Sequence, residues 1–178
     1  MLKGAATASV SLDSLSQRMP AENFLVSADF PLFHFFMFSY WDTPKGGVYM
    51  KRLALMYYEM GYGCGQCIIK AADRKYKIGI SSDFISAAAA LGNGCGYGGQ
   101  CTVITAVIII FGIMFDEMTM KRLRIKFLDE FRSRYNDFNC CRLSAGNNCV
   151  SIIASAAEIA DRLIEEAEDE IRYYNSRL

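Results

Sequence analysis

From residue 50 onward, apolar positions recur three and four apart, the spacing that lines one face of an α-helix. "MKRLALMYYEMG" puts Leu53, Met56, Tyr57 and Met60 on one face, and Gly61 and Gly63 end it. A second, short helix is predicted over residues 64–72, stopped by the charged "DRKYK". "SSDFISAAAALG" gives a third, with Ser81 or Ser82 as N-cap and Gly92 as its close. Residues 101–115 are apolar on every side and predict a buried central helix. "MTMKRLRIKFLDEFRSRY" predicts a helix capped at Thr119, with Leu123, Phe127, Phe131 and Tyr135 on its apolar stripe. The final helix is predicted over residues 150–174, with the "NCCRLSAGNNC" before it read as a loop. Its apolar face is Ile152, Ile153, Ala156, Ile159, Ala160, Leu163, Ile164, Ala167 and Ile171. Its opposite face carries Glu158, Asp161, Arg162, Glu165, Glu166, Asp169 and Glu170. Only "YKIGI", residues 76–80, hints at a strand. The pattern predicts an all-α bundle of five or six helices around the apolar central one. A loop with five glycines in ten residues, "GNGCGYGGQC", sits at one end.

Residues 1–49 are of another kind. They hold all three prolines, the one tryptophan and the one histidine, His34, without a sustained period. At their end, one of the back-translations of "KGGVY", AAA GGA GGT GTA TAT, contains AAGGAGG, a bacterial ribosome-binding sequence, shortly before the Met50 codon. The expectation is that residues 1–49 are an unpacked extension, translated from sequence upstream of a true start, and that residues 50–178 form the working domain. From Met50 onward there is no histidine. A Cys–His nucleophile pair, a mixed Cys/His zinc site and a haem axial histidine then have no residue to build on.

Composition narrows the partners. Lys+Arg and Asp+Glu both number 19, so no strong field favours nucleic acid or an acidic membrane surface. The N-terminus lacks the basic start and apolar core of a signal peptide. The apolar runs at residues 30–41 and 103–115 fall short of the roughly 20 residues needed to span a bilayer. No nucleic-acid binding and no membrane insertion are expected, and the predicted location is a reducing cytoplasm. There, cysteines are more often catalytic, metal-binding or inert than structural bridges.

The chain has seven cysteines. "GYGCGQC" places Cys64 at the mouth of a helix, where free N–H groups and the helix dipole favour a thiolate. Cys67, nearly a turn in, reads as a small core residue. No βαβ context supports a thioredoxin-like C-x-x-C. Cys101 stands where the glycine loop meets the central helix. Gly94, Gly96 and Gly99 of that loop are candidate cofactor-binding positions, since such glycines can form an anion-holding nest. No Lys-Ser/Thr follows, which excludes a P-loop. Cys95 within the loop reads as filler. Cys140, Cys141 and Cys149 cluster in one loop able to fold back toward Cys64 and Cys101. Four thiols from remote segments suit two disulfide pairs or an all-cysteine metal or iron–sulfur site. A zinc ribbon would need two C-x-x-C knuckles, and only one is present.

These segments together resemble the C_GCAxxG_C_C family of redox-active proteins, which has four characteristic cysteines. "GCGQCI" is similar to its first motif and puts the first cysteine on Cys64. "GNGCGYGGQCTVITA" is similar to its glycine loop and second motif and puts the second on Cys101. "CCRL" puts the third on Cys140 by its C-x-x-L spacing, with Cys141 one residue away as the alternative, and Cys149 takes the fourth. The resemblance runs from Tyr57 to about Glu165. Where the family has Gly, Ala and Gly after the second cysteine, this chain has Thr102, Val103 and Ala106, which removes glycines that would allow close helix contact. The family also resembles the non-haem part of split-Soret cytochromes, which implies an iron–sulfur centre. No C-x-x-C-H is present, so no covalently attached haem is expected.

Three functions follow as expectations. The first is thiol–disulfide exchange at Cys64, Cys101, Cys140 and Cys149, with a low-pKa Cys64 attacking and Cys101 or Cys67 resolving, in exchange with an unidentified redox partner. The second is a [2Fe-2S] or other metal centre on the same four thiolates, passing electrons. The third is a helical interaction protein in which the cysteines only pack. Completion of the site by a second copy, as a homodimer, is left open.

Overall fold

The computed structural model describes residues 49–177. The proposed extension and His34 lie outside the described residues. Within them the chain is all-α: α1 (Met50–Glu59), α2 (Cys64–Tyr76), α3 (Ser82–Ala87), α4 (Thr102–Met114), α5 (Glu117–Tyr135), α6 (Cys140–Gly146) and α7 (Cys149–Asn175). A 3₁₀ turn (Ala88–Leu91) and a wide glycine turn (Gly94–Gly98) lie between α3 and α4. The strand hinted at residues 76–80 does not form. Tyr76 closes α2, and Lys77 and Gly79 take left-handed backbone conformations. Asp73 Oδ1 accepts hydrogen bonds from the Gly79 and Ile80 amides and fixes this turn.

The long amphipathic α7 packs on α1, α2, α4 and α5, and α4 packs on α2, α5 and α7. The core is formed by the faces that the periodicity marks, among them Leu53, Leu123, Phe127, Phe131, Ile153 and Ile164. Phe111 and Phe127 meet edge to face, with ring centroids 6.1 Å apart. The central helix is not buried all round. Val103, Ile104, Val107, Ile110 and Phe111 are buried, but Ile108 and Ile109 are half-buried and Ile113 is 46% exposed. No helix among the described residues is long and apolar enough to cross a membrane.

Three local readings change. The cap of α5 is Asp116, whose carboxylate accepts from the Met118 and Thr119 amides and from the Thr119 hydroxyl. Residues 140–146, read as loop, form the short α6, capped by Asn139. Asp161, placed by period on the polar face of α7, is only 5% exposed. Its carboxylate accepts from Lys75 Nζ at 2.6 Å, the Tyr76 hydroxyl at 2.5 Å and the Met50 amide at 3.0 Å.

Candidate functional site: a four-cysteine cavity

Four helices begin at one place, and each begins with a cysteine. Cys64, Cys140 and Cys149 are the first residues of α2, α6 and α7, and Cys101 is the N-cap of α4. Together with Val103, Leu143, Ser144 and Ile152 they line one small cavity of about 10 Å³. Cys101 is buried, and Cys64, Cys140 and Cys149 are half-buried.

A backbone bridge sets which side chains face this cavity. The Cys101 amide donates to the Phe138 carbonyl at 2.9 Å, and the Cys140 amide to the Gly99 carbonyl at 2.6 Å. These two bonds flank the antiparallel pair Gln100 and Asn139. Side chains alternate across such a pair, so Cys101 and Cys140 share one face and Gln100 and Asn139 the other. The second face lines a separate open polar groove with Arg132, Asn136, Asp137, Phe138 and Arg142. The bridge also separates the two adjacent cysteines: Cys140 lines the cavity and Cys141 is exposed.

The glycine loop builds the cavity wall. Asn93, Gly94, Cys95, Gly96 and Gly98 all have left-handed φ, and the Gly99 amide closes the turn on the Gly94 carbonyl at 3.0 Å. A Cβ on Gly94 would lie 2.8 Å from Cys140 Cβ and 2.6 Å from the Gly99 nitrogen. Gly94 therefore lets the loop lie against Cys140, and Gly99 supplies the carbonyl that holds the Cys140 amide. Gly96 is exposed with nothing near its missing Cβ, and Cys95 beside it is exposed. The glycines absent after Cys101 are made up from the other side. A Cβ on Gly65 would lie 2.6 Å from Thr102 Cγ2, so close contact between α2 and α4 uses Gly65. Thr102 is itself held by its hydroxyl, which donates to the Leu91 carbonyl.

The electrostatics oppose one another. The amides of Gly65, Asn93 and Cys64 favour a thiolate at Cys64, and those of Val103 and Ile104 favour one at Cys101. Burial acts the other way and is the larger effect. It pushes the Cys64 and Cys140 thiols above their ordinary value and Cys101 up to about 11. The expected low-pKa Cys64 is thus corrected: the apolar lining withholds from the thiolate more than its amide donors provide. Cys67 is a core residue. It is buried, its thiol donates to the Tyr62 carbonyl at 3.4 Å, and burial raises it to about 12.

Four thiols suit an iron–sulfur cluster by donor type. The space does not: about 10 Å³ holds roughly one water molecule. Among the described residues, no group of three or more His, Cys, Asp or Glu side chains is disposed to hold a metal ion. As shaped, the cavity does not fit a [2Fe-2S] cluster.

No curated protein and no solved structure matches the chain significantly. A family model does match, over residues 62–163, with the description "Putative redox-active protein (C_GCAxxG_C_C)". That span contains the four cavity cysteines and the glycine loop and covers more than half of the sequence, so the chain belongs to the C_GCAxxG_C_C family.

Proposed function

We propose that the protein is a thiol–disulfide redox protein whose reactive group is the cluster Cys64, Cys101, Cys140 and Cys149. One observation carries this reading: four helices bring a cysteine each to a single small, mostly apolar cavity. In the reducing direction, the Cys64 thiol gives up its proton and its sulfur attacks a disulfide of the partner. The partner's first sulfur leaves as a thiol, and a mixed disulfide forms. The Cys101 sulfur, after losing its own proton, attacks Cys64 Sγ, and the partner's second sulfur leaves as a thiol. Two cysteines are oxidised, one partner disulfide is reduced, and the two protons lost from the cysteines match the two gained by the partner. Half-buried Cys64 suits the entering role, and buried Cys101 the resolving one. Cys140 and Cys149 line the same cavity and are the candidates for a second pair. A reducing compartment suits a protein that must be returned to the thiol form.

Thiol counting and differential alkylation near neutral pH, followed by mass spectrometry, test this. Mild oxidant should remove thiols in intramolecular pairs and leave Cys67 free. Cys64 should label faster than Cys67, because Cys67 is buried in the core and its thiol is pushed up to about 12. Cys64→Ser and Cys101→Ser should each abolish the 64–101 disulfide, and Cys67→Ser should keep it. Equal loss in Cys64→Ser and Cys67→Ser would make the C-x-x-C itself the dithiol. Stoichiometric iron with visible absorption in anaerobically purified protein would overturn the exchange reading.

A further inference from the structure

Asp161 takes no part in the cysteine chemistry, yet among the described residues it is the one charged side chain buried in the core. Lys75 bridges it at 2.6 Å and bridges Glu165 at the same distance. Two carboxylates therefore share one ammonium, and the Tyr76 hydroxyl on Asp161 adds no charge. A buried carboxylate wants a full opposite charge and saturated hydrogen bonds. The remaining donor on Asp161 is the main-chain nitrogen of Met50, 3.0 Å from Oδ2. That nitrogen is the first of α1, a helix with no side-chain cap and no acidic residue in its first turn. The Met50 side chain is fully buried beside it, while Tyr49 is 61% exposed.

We propose that Asp161 is a built site for a primary ammonium group, and that the group it receives is the α-amino group of a chain that starts at Met50. A free α-ammonium at this nitrogen adds a second positive charge where Lys75 alone serves buried Asp161 and the more exposed Glu165. It then faces Asp161 where Met50 now donates as an amide. A positive charge at a helix N-terminus opposes the helix dipole, at a cost of about 0.3–1 kcal/mol that a carboxylate placed against it offsets. The neighbouring contact follows the same scheme. Lys51 of α1 pairs with Glu158 at 2.8 Å, so Glu158, Asp161 and Glu165 form an acidic edge of α7 that receives the basic start of α1 and Lys75. Independently of this geometry, one back-translation of "KGGVY" contains a ribosome-binding pattern just before the same residue.

The test uses the native gene with its own upstream region and a C-terminal tag. Mass spectrometry of the purified product should find Met50 as its first residue, and a product beginning at Met1 would overturn the proposal. A stop codon in place of Lys3 should leave the yield unchanged, and loss of all product would overturn it without any question of folding. The pairing itself is read from the pH profile of α-amine acylation on the same product. The midpoint should lie above the ordinary value of about 8 for a free α-amine and fall in Asp161→Asn. Should that variant not fold, the wild-type profile decides: an ordinary midpoint means that the ammonium does not sit on Asp161.

Discussion

Gly94→Ala should cost the protein about 3 kcal/mol, and Gly96→Ala only about 1 kcal/mol, although both glycines occupy the same loop with left-handed φ. At Gly96 the added methyl group meets nothing within 4 Å, so only the φ of +79° is penalised. At Gly94 the φ of +60° is penalised too, and the methyl group enters a space bounded by the Gly99 nitrogen at 2.6 Å and Cys140 Cβ at 2.8 Å. Backbone cannot step aside as the end of a flexible side chain can. Thermal melts should therefore show a fall of about 10 °C for Gly94→Ala. The damage should also be chemical, since relief of the clash moves Cys140 out of the cavity. Oxidant-induced pairing of Cys140 with Cys149 should drop in Gly94→Ala and persist in Gly96→Ala. Equal losses in both variants would mean that contact with Cys140 has no weight and that the loop glycines serve the turn alone.

That difference between two glycines in one loop marks where the sequence stops being legible. The period of the helices was readable because burial of one face acts on many residues at once. Leu53, Leu123, Phe127 and the Ile152–Ala167 stripe of α7 are buried as their spacing requires. Ends were less readable, because single contacts decide them. Met60 and Ile171 continue their stripes but lie past the last packed turn and are exposed. The α6 helix has one fully buried residue, Leu143, too little to make a period. Its signal was the Asn139 cap before "CCRL". The C-x-x-L spacing to Leu143 favours Cys140 over Cys141, but spacing says nothing of which of the two side chains faces the cavity. That facing comes from the bridge between residues 100 and 139, a contact between segments far apart in the chain. Asp161 was misplaced for the same reason. Period alone assigns it to the polar face, and only Lys75, Tyr76 and the Met50 nitrogen, brought by two other helices, make its burial tolerable.

The reduction potential of the Cys64–Cys101 pair should fall by about 59 mV for each pH unit, in a straight line from about pH 6 to about pH 8. Making one disulfide releases two electrons, and it releases two protons wherever both thiols are still protonated. Each proton contributes about 30 mV per pH unit to a two-electron couple. Burial holds Cys64 above its ordinary value and Cys101 near 11, so neither proton leaves early. A site with one thiol near pH 7 would bend to half that slope above pH 7. Redox titration against buffered glutathione at several pH values measures the line, and a bend below pH 8 would refute the burial argument. The same shifts fix the sign of a stability effect in the reduced protein. Thiols whose folded pKa is raised hold protons that the unfolded chain gives up. Their contribution is thus complete below about pH 8.5, the value for a free thiol. It is lost as pH rises through about 11 for Cys101 and about 12 for Cys67. Reduced protein should therefore melt progressively lower above pH 9, whereas protein with the 64–101 disulfide, which has lost the Cys101 proton already, should decline less steeply. Parallel decline of the two forms would remove Cys101 as a source of the alkaline sensitivity and leave it to Cys67 and Cys140.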